Sequence, residues 1–255
     1  MDLDRIKQQT GNTNISHFDS IDSTNSYLLA HGECGDVCIS DRQTAGRGRR
    51  GNNWVSPDTG NLYFSLCWCF GKVTENWSLL GLVVAIAIAE TLQEVGLENH
   101  AIKWPNDIFW QQKKLGGVLI ETLNQSARVV IGIGLNLKMS KEDRQLIDQE
   151  IVSLDEAMPG KIIVRDDLIV CLINKLKQHL NSFNSLNPEA FMEKWKCWDM
   201  LYGEHVSLTH QGQELAGKVS GIDSQGRLGI IESMSAKQIY FSSAEIRLKN
   251  IGQAV

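Results

Sequence analysis

From Ser78 to Val95 the chain is apolar nearly all round a helix. A helix of that kind needs cover on several sides, which excludes a small or extended fold. Gly96 is suited to end it. The chain is long enough to supply the cover: 255 residues make one large domain, or a large one with a small one. The most apolar run, Leu79 to Ala89, is eleven residues and cannot cross a hydrocarbon layer of about 30 Å. The N-terminus, Met1-Asp2-Leu3-Asp4-Arg5, has no apolar signal core. A cytoplasmic protein with no membrane partner is therefore expected. Its six cysteines (Cys34, Cys38, Cys67, Cys69, Cys171, Cys197) are expected as reduced thiols. Cys34 and Cys38 have no second Cys or His pair at zinc spacing, which argues against a structural metal.

Around the apolar helix the pattern is mostly of strands. Residues 15 to 22 read as a strand entering a polar turn, and Ser23 or Thr24 can cap a helix over Asn25 to Ala30. Asp36 to Asp41 alternates as a strand. Asn61 to Phe70 alternates most strongly, with Leu62, Phe64, Leu66 and Trp68 on one face and Tyr63, Cys67 and Cys69 on the other. Short strands follow at Ala101 to Trp104, Asp107 to Trp110, Leu115 to Glu121 and Arg128 to Leu137. Polar turns at Gln111 to Lys114 and Asn124 to Ser126 join some of them. Such short connections predict a mixed or antiparallel sheet rather than a doubly wound parallel one. Leu168, Leu172, Leu176 and Leu180 then mark a helix, and Asn187 to Met200 another, with Pro188 in its first turn. From Leu201 onward, short strands punctuated by glycines suit a small β-barrel. An α+β fold is expected, with a main domain over 1–200 and a small domain over 201–255.

Four segments can carry chemistry. Gly46-Arg47-Gly48-Arg49-Arg50-Gly51-Asn52-Asn53-Trp54 sets three arginines among three glycines, with an indole after them. Arginine forks match carboxylate or phosphate oxygens. No apolar period runs through the segment, so it reads as a mobile cationic flap that orders on an anion. It is not a P-loop, because Asn52 and Asn53 stand where Lys and Ser/Thr are needed. The formal net charge of -5 argues against a general nucleic-acid surface, so the anion site must be local. In Lys103-Trp104-Pro105-Asn106-Asp107, a lysine ends a strand beside a stiff bend and can be aimed at a reacting carboxylate or phosphoryl group. Asp107 can orient that lysine or help to hold magnesium. The alternative is a surface salt bridge of little worth. Lys114 to Glu121 carries the pair Gly116-Gly117. Gly132-Ile133-Gly134-Leu135-Asn136 clears one face of a strand, either for a flat ligand or for close sheet packing. No Gly-x-Ser-x-Gly or His-Glu-x-x-His motif is present.

These segments, in this order and together with Asp22-Ser23-Thr24-Asn25 and Gln43, resemble the biotin protein ligases. The match is dense from about residue 15 to 137. The resemblance implies a mixed sheet with helices like that of class II aminoacyl-tRNA synthetases, followed by an SH3-like barrel. It implies formation of biotinyl-5'-AMP from biotin and ATP with Mg2+, then transfer to one lysine of the biotin carboxyl carrier protein of acetyl-CoA carboxylase. Catalysis would fall to Lys103, Arg47 and Arg49. Biotin would meet Ser23, Thr24, Asn25, Gln43, Arg47, Gly48, Arg49, Lys103, Gly117, Gly132 and Gly134. The nucleotide would meet Arg49, Arg50, Trp54, Asn106 and Asn136, with Asp107 the candidate metal ligand.

Many bacterial relatives carry an N-terminal winged helix that binds DNA. Only about twenty residues precede Asp22 here, so no sequence-specific DNA binding is expected. A homodimer is left open, as some relatives pair through sheet edges. Lys249 stands where some relatives end a segment in arginine, and Arg247 is the nearby substitute. Lipoate or octanoate transfer, a nucleic-acid-binding module and a pure biotin sensor are the competing readings.

Overall fold

The computed structural model describes residues 1–248 except 59, 73–74, 123–126 and 211. The turn expected at Asn124 to Ser126 and the position of Lys249 lie outside the described residues. In chain order, α1 (Leu3–Gln9), β1 (Ile15–Phe18), α2 (Thr24–His31), β2 (Val37–Ser40) and β3 (Leu62–Cys69) precede the apolar helix α3 (Leu80–Glu94). The strands β4 (His100–Lys103), β5 (Asp107–Trp110), β6 (Lys113–Thr122) and β7 (Arg128–Leu135) follow. Helices α4 (Lys141–Arg144), α5 (Leu154–Ala157), α6 (Arg165–Ser182) and α7 (Pro188–Lys196) lead to β8 (His205–His210), β9 (Gln213–Ile222), β10 (Leu228–Glu232), β11 (Gln238–Phe241) and β12 (Glu245–Leu248).

The first seven strands form one mixed sheet in the order β1-β2-β3-β7-β6-β5-β4. Only β1 and β2 run parallel; the other neighbours are antiparallel. This is the mixed α+β sheet that the short connections imply. The β5–β6 hairpin turns on Gln111 and Gln112, at φ 45° and 64°. Two positive φ values in a two-residue loop match the twist of the strands they join.

The alternation of β3 sorts the two faces. Leu62, Phe64 and Leu66 enter the main core with α3 and α6, while Cys67 joins Leu28, Cys38 and Val130 beneath α2. The cover that α3 requires comes from β4, β5 and β6 on one side and α6 on another. With the turn before it, Asn76–Glu94 is 19 residues and apolar enough by length and composition to cross a bilayer, yet 67% of its most apolar window is buried inside the protein.

The last five strands form an antiparallel sheet in the order β11-β10-β9-β8-β12, and its inner residues (Val206, Leu208, Val219, Leu228, Ile230) are buried. Two contacts lock this sheet's surroundings to the first. Ile102 of β4 donates to the Trp198 carbonyl at 2.7 Å and accepts from Met200 N–H at 3.0 Å. Trp104 Nε1 donates to the Gly226 carbonyl at 2.9 Å. The first of these also ends α7 at Lys196 rather than at Met200, because the chain leaves the helix to pair with the edge of β4.

The expectation of six reduced thiols is corrected for one pair. Cys34, in the loop after α2, is joined in a disulfide to Cys69 at the end of β3, with Cα atoms 5.6 Å apart. The two stand 35 residues apart in sequence, and only the return of the loop onto β3 brings them together. Closing a loop of that length removes about 4 kcal/mol of unfolded-chain entropy. Of the remaining thiols, burial pushes Cys38 up to about 12, so it is inert in the native protein. Titration with a thiol reagent in denaturant without reductant should count four thiols, and six after reduction; six without reduction would show that the bridge does not form.

Candidate active site

The register of the sheet builds the floor of a cavity of about 570 Å3. Lys103 pairs with Asp107, Asp107 with Gly117, Gly117 with Gly134, and Gly134 with Tyr63. Residues in one such row project to one face. Two charged side chains and two glycines therefore lie in line across β4, β5, β6 and β7. Two residues earlier on β7, Gly132 pairs with Ser65 of β3 and with Leu119 of β6.

The glycines are not bare. A Cβ on Gly134 would lie 2.5 Å from Trp54 Cε2, and one on Gly117 would lie 3.2 Å from Trp54 Cζ3. The flat group seated on this part of the floor is thus the flap's own indole. A Cβ on Gly132 would collide with the Asn25 amide. The space that the glycines clear is filled by the chain's own side chains, Trp54 over Gly117 and Gly134 and Asn25 over Gly132.

The N-terminal end of α2 supplies a neutral polar wall. Ser23 caps the helix, accepting from Ser26 N–H, and Ser23, Thr24 and Asn25 are all buried. Thr24 donates from N–H at 2.9 Å and Oγ1 at 3.1 Å to Gln43 Oε1, and Gln43 Nε2 donates to Ser56 Oγ at 3.1 Å. Ser65 Oγ lies 2.7 Å from Thr24 Oγ1 and 2.5 Å from Asn25 Oδ1. The far side of the Asn25 amide donates to Glu121 Oε2 at 2.8 Å. Ser56, Ser65 and Glu121 escaped the sequence reading. The alternation of β3 already put Ser65 on the face of Tyr63, and Glu121 closes the glycine-bearing segment, so the signals were present but carried no chemistry by themselves.

The arginine segment is a small folded hairpin. Gly48 N–H donates to the Asn52 carbonyl at 2.7 Å and Trp54 N–H to the Gly46 carbonyl at 2.9 Å, and Arg47 bridges to Asn53. Its tip is a short turn over Arg49–Gly51, with Arg50 at φ 56°. The segment closes over the cavity: Arg47 pairs with Glu121 at 2.8 Å, and Arg49 donates to Asn106 Oδ1 at 2.8 Å. Burial holds the Arg49 guanidinium below its ordinary value, and Arg50 beside it adds to the effect.

Lys103 carries a charge with no direct partner among the described residues. It is half-buried, and among the described residues no carboxylate or hydrogen-bond acceptor is in contact with it; its Nζ lies 5.3 Å from the centre of the Phe109 ring. Burial lowers its affinity for a proton, opposed by Asp107 and Glu245, while Lys114 acts with burial. Asp107 is instead taken by Lys114, at 3.0 Å. With that ammonium in contact, Asp107 does not fit a metal ligand. A second group with metal-binding side chains, His17, Asp19 and Asp41, does not line the cavity, and Asp41 is already paired with His17 and Arg165.

Of the residues picked out by sequence, Ser23, Thr24, Asn25, Gln43, Arg47, Gly48, Arg49, Arg50, Trp54, Lys103, Asn106, Asp107, Gly117, Gly132 and Gly134 all line this one cavity. Asn136 does not. It is buried, and its amide donates to the Lys114 and Val152 carbonyls at 3.3 Å each, so it ties β6 and the start of α5 to β7. Arg247 pairs with Glu245 at 3.1 Å on the exposed side of β12. The rim also takes Ser243 to Ile246 from the second sheet and Asp148 and Gln149 from the loop after α4.

Comparison with known proteins agrees with this architecture. A profile of the biotin/lipoate A/B protein ligase family matches residues 17–136. The bifunctional ligase/repressor BirA of Salmonella typhimurium is 36% identical over 96% of this chain and 79% of its own length. The biotin–[acetyl-CoA-carboxylase] ligase of Mycobacterium tuberculosis is 29% identical over 81% of this chain and 79% of its own. Among solved structures, the biotin protein ligase of Aquifex aeolicus in complex with biotin and ATP superimposes with a TM-score of 0.79 at 29% identity, covering 92% of this chain and 98% of that one. With relatives this similar along most of both chains, the protein belongs to the biotin/lipoate A/B protein ligase family.

Proposed function

We propose that this chain is an ATP-dependent biotin protein ligase that forms biotinyl-5'-AMP and passes the biotinyl group to a lysine of a biotin carboxyl carrier protein. One observation carries the reading: a single cavity joins a neutral hydrogen-bonding wall to a cationic end across strands whose glycines seat the flap's own indole. Thr24, Asn25 and Gln43 offer uncharged donors and acceptors beside β3 and β7, whereas Lys103 stands on β4, three strands away from β7. At the usual strand spacing that is about 14 Å. A ligand with an uncharged ureido head, an apolar middle and a carboxylate tail matches this order. Trp54 and the glycines face the middle.

In the first step a carboxylate oxygen of biotin attacks the α-phosphorus of ATP, and the bond to the β-phosphate oxygen breaks, releasing pyrophosphate. Lys103 lies where it can screen the two anions from each other, and Arg47 and Arg49 add charge from the flap. In the second step a neutral lysine ε-amine of the carrier attacks the acyl carbon, and AMP leaves. The proton lost from nitrogen passes to solvent or to the departing phosphate. Between the steps the closed flap keeps water from the mixed anhydride. Magnesium would arrive on the phosphates of ATP, and no protein ligand is assigned to it because Lys114 holds Asp107.

Incubation with ATP, magnesium, biotin and a carrier domain should yield a carrier heavier by one biotinyl group at one lysine, with AMP and pyrophosphate released. Absence of both adenylate and labelled carrier would reject the reading, and labelling with lipoate in place of biotin would redirect it. Lys103→Ala should slow adenylate formation by about 100- to 1000-fold while leaving the thermal melt close to that of the unaltered chain. Adenylate formation at the original rate would remove Lys103 from its assigned role.

A further inference from the structure

Glu121 belongs to neither the neutral wall nor the cationic end, and it does not line the cavity. It nevertheless touches one lining residue from each of two elements. Its Oε2 accepts from Asn25 Nδ2 at 2.8 Å and from Arg47 NH2 at 2.8 Å. Asn25 stands in the first turn of α2, and Arg47 stands in the flap. One oxygen on β6 therefore joins the flap to the helix, from behind both side chains. Nothing else among the described contacts pairs Arg47 with a carboxylate.

Two consequences follow from the chemistry of that oxygen. With Nδ2 given to Glu121 and Oδ1 facing Ser65, the orientation of the Asn25 amide is set. The flap, in turn, is held at one charged point on its α2 side. The pair is partly exposed, with side chains 39% and 25% accessible, so water and salt weaken it enough for the flap to open. A deeply buried pair would hold too tightly for a lid that must admit the carrier lysine.

We propose that Glu121 is a positioning residue, a latch that closes the Arg47 flap against α2 and so retains the acyl-adenylate until the carrier arrives. It acts through Arg47 and Asn25 and does not touch the reacting atoms. This rests on the ligase reading given above. Glu121→Gln keeps the shape and the amide contact but removes the charge that holds the arginine.

The test is a single-turnover experiment with biotin and MgATP and no carrier, following how fast biotinyl-5'-AMP leaves the protein. Glu121→Gln should release it about five- to tenfold faster than the unaltered chain, with the rate of its formation changed by less than about twofold. Release from the unaltered chain should also quicken between about 0.05 M and about 0.5 M salt, and more steeply than release from Glu121→Gln, in which only the contacts to the phosphate are left to screen. Equal release rates for the two proteins would overturn the latch, as would a parallel loss of formation and retention, which marks a general structural defect. If Glu121→Gln fails to fold, the salt dependence of the unaltered chain decides, and a flat response overturns the proposal. If the unaltered chain forms no adenylate, the ligase reading fails instead, and the two failures are thereby distinguished.

Discussion

The register between β4 and β7 is the constraint on which the rest of the site depends. It sets Lys103, Asp107, Gly117 and Gly134 in one row, on one face. Because side chains alternate along a strand, a slip of one residue in any of these pairings would turn the lysine or the glycines to the opposite face. The opposite face of β7 is packed with Ile131 and Ile133 against the main core, so burial there holds the register from below. The apolar face thus determines the position of the polar one. Trp54 can lie flat on the sheet only because two adjacent strands both present glycine at the same level.

Charge is arranged on that floor by desolvation and pairing. The chain is acidic overall, yet Arg47, Arg49, Arg50, Lys103 and Lys114 converge on one cavity. Three of the five have a partner within the protein: Glu121 for Arg47, the Asn106 amide for Arg49 and Asp107 for Lys114. Among the described residues Arg50 and Lys103 have no carboxylate in contact, and Lys103 is half-buried. An ammonium in that setting favours an arriving anion, because its own charge is poorly solvated and has no carboxylate in contact. The partners of the flap arginines are ones that can be exchanged, an amide and a partly exposed carboxylate, which suits a segment that must close and reopen.

Lys103 also owes its place to the second sheet. Its neighbours on both sides are anchors of the junction: Ile102 is paired to Trp198 and Met200, and Trp104 reaches the Gly226 carbonyl. The same junction brings Ser243 to Ile246 to the rim of the cavity. The small sheet therefore contributes to the frame of the site. Four strands from β4, the Cys34–Cys69 bridge ties the loop after α2 to the interior strand β3, steadying the helix whose first turn forms the neutral wall.

Local pattern made much of this legible. The alternation of β3, the apolar girth of α3, the leucine stripe of α6 and the polar hairpin at Gln111-Gln112 each report a period or a turn that the backbone must obey. Residue chemistry in order along the chain, arginines among glycines, then Lys103 to Asp107, then the glycine strands, picked out most of the cavity lining. Local pattern carried no information about distance between remote segments. The helix α1, with Ile6 its one buried residue, has too little periodicity to be seen. Asn136 shares the parity of Gly132 and Gly134, yet it is consumed by two carbonyls that only the fold brings near. Glu121, Ser65 and the Cys34–Cys69 pair gain their roles from partners 35 to 96 residues away. The sequence by itself determined which faces had to be buried and which groups could do chemistry. Tertiary structure alone decided which of those groups meet, because a hydrogen bond, an ion pair or a disulfide depends on ångström distances between segments that periodicity cannot measure.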